Sequence, residues 1–191
     1  GGSGDTPNTT PDQGNDGGPS YYRCSGGGGG SAAVGATADS TGAAWNCDCK
    51  GAAGGVGTIN DIITTSIATS RGAGQVVSTD VYFAGGGSAG TNDNANAQPS
   101  VAGGLGGGGA GGNFSGGATA GIAGTDGTGG GGGGAADCAH LAVIGGVGGD
   151  GVVILRMATA KYSGTTTGSP SVDTDGSDTI LIFKSSGSYT T

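Results

Sequence analysis

Between residues 85 and 133 a small or short polar residue recurs at every third position, and this spacing constrains the fold more than any other feature of the sequence. Stepping by three from Gly103 gives Gly106, Gly109 and Gly112, then Ser115, Ala118, Gly121, Gly124, Gly127, Gly130 and Gly133. Stepping backward gives Ser100, Ala97, Asn94, Thr91, Ser88 and Gly85. A period of three is that of the polyproline II helix, which rises about 3.1 Å per residue and makes no internal hydrogen bonds. Every N–H and C=O of such a helix points outward and must find a partner on a neighbour. A bare face at each third position lets neighbouring backbones come close enough to provide one. Collagen is disfavoured, because residues 103–133 contain no proline and keep no strict Gly-X-Y order. Interruptions at 92–96 and 113–115 predict several short helices folded back on one another.

Composition points the same way. Of the 67 residues from 85 to 151, 28 are glycine, and the whole chain holds 51 among 191. The apolar share is 33%, much of it alanine, and the charged share is only 10%. Apolar burial stabilises by about 25 cal/mol per Å². Ordering each residue costs about 1–2 kcal/mol of backbone entropy, most of all for glycine. A conventional core is hard to build at that cost, so the chain must either stay disordered, as a flexible glycine-rich linker does, or recruit hydrogen bonds and neighbouring chains. Val101, Leu105, Phe114 and Ile122, which pure linkers seldom carry, favour ordered helices.

The flanking sequence reads differently. Residues 1–20 carry three prolines among Gly, Asn, Asp and Thr, and predict an extended linker or arm. The Ile/Thr-rich stretch 58–70 and the stretch 75–84 (QVVSTDVYFA) each favour strand. Strands are also expected at 141–144 (LAVI) and 152–157 (VVILRM), flanking a turn at 145–151. The runs 179–183 (TILIF) and 188–191 (SYTT) flank a loop of hairpin length at 184–187. No segment reads as α-helix. The expected class is all-β with polyglycine or polyproline-II-type helices: a small, sandwich-like strand layer joined to a glycine-helix bundle. The expected division is an arm at 1–20, a glycine-rich domain at 21–160 and a C-terminal β-hairpin segment at 161–191.

The sequence also resembles a known family. The residues concerned are Gly148, Gly149, Gly151, Val152, Val153, Ile154 and Arg156, which close the glycine block, then Thr179, Ile180, Phe183, Ser186, Gly187 and Tyr189. Over roughly residues 76–191 the chain is similar to the glycine-rich modules of tail-fibre and appendage proteins of tailed bacteriophages. The glycine-rich region of the anaplastic lymphoma kinase receptor is similar at the level of fold alone. The phage resemblance implies a virion structural role on the particle surface, contributing to assembly and host attachment. It implies contacts with other virion proteins and with a host-surface glycan or protein.

Little in the sequence suggests chemistry. The four cysteines are Cys24, Cys47, Cys49 and Cys138. Cys47 and Cys49 are poorly placed to bond each other, so each is expected to pair with Cys24 or Cys138. Cys47, Cys49, Cys138 and His140 could also form a Cys₃His zinc set, but both halves have one-residue spacing where two to four is usual. At least one disulfide is preferred over zinc and over free buried thiols, and no cofactor is expected. The run Asp173–Asp178 has its glycine at the wrong place for a calcium loop and reads as a turn. His140 is the only histidine, and no Gly-Lys-Ser/Thr follows a glycine run, so no enzyme is expected. Six basic residues stand singly in a chain of net charge −8, which argues against nucleic acid. No apolar run is long enough for membrane insertion. Partners are expected to be other copies of the chain, in a homotrimer or higher assembly, to bury strand edges. Alternatives are a capsid-surface decoration protein, a secreted ice-binding protein and a self-assembling extracellular filament.

Overall fold

The computed structural model describes residues 1–10, 12–21, 24–39, 49–91, 100–114, 117–136 and 143–191. The chain is all-β, with small antiparallel sheets and, among the described residues, one α-helix. In chain order the elements are β1 (Thr58–Ile59), α1 (Thr65–Arg71), β2 (Gln75–Val77), β3 (Asp80–Phe83), β4 (Val153–Ala158), β5 (Thr165–Thr167), β6 (Ser171–Asp175), β7 (Asp178–Phe183) and β8 (Ser188–Thr190).

The glycine-rich sequence lies outside these strands, in extended segments held by backbone hydrogen bonds at every third residue. The amides of Gly85, Ser88 and Thr91 donate to the carbonyls of Gly106, Gly109 and Gly112. Those of Gly121, Gly124 and Gly127 donate to Ile144, Val147 and Asp150. Gly109 and Gly112 donate to Gly131 and Gly134, while Ile122 and Thr125 donate to Ala110 and Gly107 in the antiparallel sense. Numbered in chain order, the segments are I (1–4), II (14–21), III (24–30), IV (31–39), V (49–57), VI (84–91), VII (100–105), VIII (106–114), IX (117–126), X (127–136) and XI (143–151). VIII and X each open on a turn, with Gly106, Gly107, Gly127 and Gly129 at positive φ, before the chain extends.

The bonds arrange these segments in two layers. One runs I–II–III–VI–X–XI through such pairs as Gly17 to Gly2, Gly18 to Gly27, Gly28 to Gly87, Gly131 to Gly85 and Gly146 to Gly133. The other runs IV–V–VII–VIII–IX through Ala36 to Ala53, Gly57 to Leu105, Gly111 to Val101 and Ile122 to Ala110. Bonds between layers, such as Gly86 to Gly55 and Gly30 to Ala33, tie the two together. Spacing this tight requires glycine: a Cβ at Gly54 would lie 1.9 Å from the Gly86 carbonyl oxygen, and one at Gly133 1.9 Å from that of Ala110.

Several local expectations are corrected. Residues 14–20, expected in an arm, form part of segment II and bond to segments III and IV. In the expected strand 58–70, only Thr58–Ile59 is strand, and Thr65–Arg71 is helical. Thr64 caps this helix by accepting from the Ile67 amide, and Gly72, at φ 56°, closes it. The LAVI stretch and its turn also differ. Val143 and Ile144 form no strand, and 143–151 is an extended segment, while 141–142 lie outside the described residues.

The stretch 75–84 is a hairpin rather than one strand, β2 pairing with β3 around Ser78 and Thr79. At the C-terminus the strands 179–183 and 188–190 do not pair with each other. β7 lies between β4 and β6, and β8 pairs with β5. The hairpin here is β6–β7, turning at Gly176 and Ser177 with Gly176 at φ 59°. The sheet β4–β7–β6 therefore spans the expected division at 160/161. Its central strand is deeply buried, and Ile180 and Ile182 pack with Ile63, Ala68, Ala73 and Val81 into the apolar core. That core sits at one end of the bundle, where Gln75 Oε1 accepts from the amides of Gly106 and Gly107.

Candidate functional site

Of the site residues expected from sequence, the structure describes Cys24 and Cys49. They are joined in a disulfide with their Cα atoms 5.2 Å apart, and both are buried with Ala38. The bond links the starts of segments III and V, two neighbours that also bond through Gly55 and Gly28. With its sulfur in a disulfide, Cys49 has no thiolate to offer a metal. Cys47, Cys138 and His140 lie outside the described residues. Among the described residues no group of three or more His, Cys, Asp or Glu is placed to hold a metal ion. Nor is any described helix long and apolar enough to cross a membrane.

Two concave sites have the dimensions of binding surfaces. The first is a polar cleft of about 570 Å³ between the β2–β3 turn and the start of α1. Asn60, Asp61, Thr64, Ser78, Asp80 and Arg156 line it, over an apolar floor that includes Ile63 and Val81. Arg156 projects from β4 and is fixed on three sides. Its Nε donates to Asp178 at 2.8 Å, its Nη1 meets Asp175 at 2.9 Å, and Nη1 also donates to the Ile62 carbonyl at 3.3 Å. The bond to Asp178 raises the guanidinium pKa above its ordinary range, with Asp175 adding to the effect against some desolvation. The second arginine of this end, Arg71, is held by Asp173 at 2.7 Å and is raised for the same reason. A cleft of hydroxyls, carboxylates and one immobilised guanidinium can hydrogen-bond a polyhydroxylated ligand. Arg156 enters the sequence reading through the family resemblance alone. Its carboxylate partners belong to a run that sequence reads only as a turn.

The second site is a groove of about 450 Å³ on the outer face of the first layer. Segment VI forms its floor and segments III and X its walls. Glycine, alanine and Ser25 line it together with the disulfide cysteines, so among the described residues no charged side chain faces it.

Comparisons with family models, with curated proteins and with solved structures return no match. Function has to be argued from geometry.

Proposed function

We propose that this chain is a structural component of a virus appendage, a fibre or surface adhesin module that contributes to assembly and host attachment, with no catalytic role. The hydrogen-bond ladder carries the reading: segment after segment is fixed to its neighbours at every third residue, in two layers. Three-residue spacing is what a polyproline-II-type helix of glycine produces. Stacks of such helices give a stiff body from residues that bury little apolar area. At about 3.1 Å per residue, segments this long extend about 25 Å. The polar cleft beside Arg156 is the candidate contact for a host-surface glycan. Partners are further copies of the chain and other virion proteins.

Immunogold labelling of the native particle with antibody against this chain tests the reading. Label on fibres or other appendages is the expected result. Label spread over the capsid shell favours surface decoration, and unlabelled particles remove the virion role.

One observation favours a second reading, a secreted ice-binding protein. The second layer exposes methyl-bearing residues three apart, Val34 with Thr37 and Ala53 with Val56. At about 3.1 Å per residue, positions three apart repeat every ~9 Å. Thermal hysteresis of the isolated chain would support that reading in place of the first.

A further inference from the structure

Segment VI is almost completely surrounded. It bonds with segments III, V, VII, VIII and X, and the groove lies on its remaining side. Two amides on the groove floor, those of Gly87 and Gly90, donate no hydrogen bond among the described residues. They are three residues apart. Gly87 is buried and lies between the walls: Cβ atoms at Gly28 and Gly131 would come within 3.4 Å and 3.0 Å of its nitrogen. Gly90 is half-buried. A buried donor without an acceptor is costly, so the Gly87 amide above all calls for a partner.

The walls raise a second question. Most glycines inside the bundle cannot accept a Cβ at all, but Gly28 would meet nothing closer than 3.3 Å. A methyl there would need the Gly87 backbone to give by only a few tenths of an ångström, so the fold constrains Gly28 less than the glycines inside the bundle, and glycine carries an entropic cost. A bare wall makes sense if another chain lies against it.

Segment XI has the matching shape. It pairs with IX and X, and its other side is open: a Cβ at Gly148 would meet nothing closer than 3.6 Å, and one at Gly151 nothing within 4 Å. The carbonyls of Gly145 and Gly148, also three residues apart, accept no backbone bond among the described residues. Beside them stand Ile144 and Val147, 75% and 71% exposed. These two side chains form an apolar ridge with the spacing of the groove floor.

We propose that the groove over segment VI receives the 143–151 edge of a second copy of this chain. The Gly87 and Gly90 amides then donate to the partner's Gly145 and Gly148 carbonyls, and its Ile144 and Val147 lie against the bare walls. The groove, uncharged among the described residues, suits this occupant, because Asp150 is the only charged residue in the segment and lies near its end. The inference rests on the structural reading above but fails separately from it. Self-association through this groove can stand even if virions carry no label.

Sedimentation velocity on the full chain over a wide concentration range provides the test. Wild type is expected to associate. Gly28→Leu, which fills the groove, and the double variant Ile144→Asp/Val147→Asp, which removes the ridge, should each weaken association about tenfold or more. Circular dichroism checks that each is folded, and the exposed ridge variant stands if Gly28→Leu does not fold. Mixing the two variants should restore pairing, since each retains the half the other lacks. A wild type that stays monomeric, a folded ridge variant that associates like wild type, or a mixture of folded variants that stays monomeric overturns the proposal.

Discussion

Gly54 and Gly151 are the same residue type with opposite roles. A Cβ at Gly54 meets the Gly86 carbonyl oxygen at 1.9 Å and its carbon at 2.5 Å, both backbone atoms that no rotamer change can move. Gly54→Ala must therefore separate two segments, and should cost about 3 kcal/mol, the upper part of the range for overpacking. At Gly151 the same methyl meets nothing, and restricting the unfolded chain makes Gly151→Ala neutral or stabilising by up to about 1 kcal/mol. Denaturant midpoints of the two variants would check this; equal losses would mean that close approach is not what selects glycine. Ser78 presents the converse case. It holds φ 56° in the β2–β3 turn, a conformation costing a non-glycine residue about 1–2 kcal/mol. Ser78→Gly should raise stability by about 0.5 kcal/mol once the entropic cost of glycine is subtracted, read as a small upward shift in Tm. At this scale the sequence shows where glycine is abundant. It does not show which glycines are indispensable, because that depends on which carbonyl of a distant segment lies opposite.

Among the elements, α1 and the Cys24–Cys49 link offer the clearest tests. The helix is only seven residues long and is capped by Thr64, whose hydroxyl oxygen accepts from Ile67 N at 3.3 Å. Thr64→Ala should cost about 1 kcal/mol, measured by chemical denaturation, while Thr64→Ser retains the acceptor and should cost much less. The disulfide spans a sequence separation of 25, and closing a loop of that size is worth about 3 kcal/mol. Replacing both cysteines with serine should therefore lower the denaturant midpoint by far more than the cap variant does. The helix was hard to read because Ile and Thr dominate its segment, and these residues favour strand. The legible signals were Thr64 ahead of the run and Gly72 just after it. Strand β7 was legible for the opposite reason, as a continuous apolar run that ends up buried at the centre of its sheet. Its partners were not: β6 pairs across a two-residue turn at Gly176, while β4 pairs from far upstream, Ala158 with Asp178 and Val153 with Phe183. Pairing at that separation leaves no local mark. The Arg156 cleft is hidden in the same way, since its lining comes from β3, β4, β6 and the stretch leading into α1.

For the whole molecule, the period of three was legible and the layering was not, because the spacing specifies that partners exist without specifying which. The architecture nevertheless has a thermodynamic consequence that a conventional fold of this length would not share. Unfolding normally raises the heat capacity by about 12–15 cal/mol/K per residue, since newly exposed apolar surface adds to it more than polar surface subtracts. Here, among the described residues, the larger apolar cluster lies at one end, around Ile63, Val81, Ile180 and Ile182, and the other holds only Cys24, Ala38 and Cys49. In the two layers the buried groups are largely glycine backbone, paired N–H to C=O. Unfolding the bundle exposes mainly peptide groups, whose hydration lowers the heat capacity. Scanning calorimetry should therefore give a value below about 10 cal/mol/K per residue for the full chain. The stability curve should be correspondingly flat, with little loss of stability on cooling. Truncating Ile180 to alanine should cost about 2–5 kcal/mol and melt the sheet end, because that side chain is fully buried in the apolar core of that end. If backbone pairing stabilises the layers on its own, a second transition of small heat-capacity change should then separate from the first. A single transition with an ordinary heat-capacity change would instead mean that the layers depend on apolar burial after all.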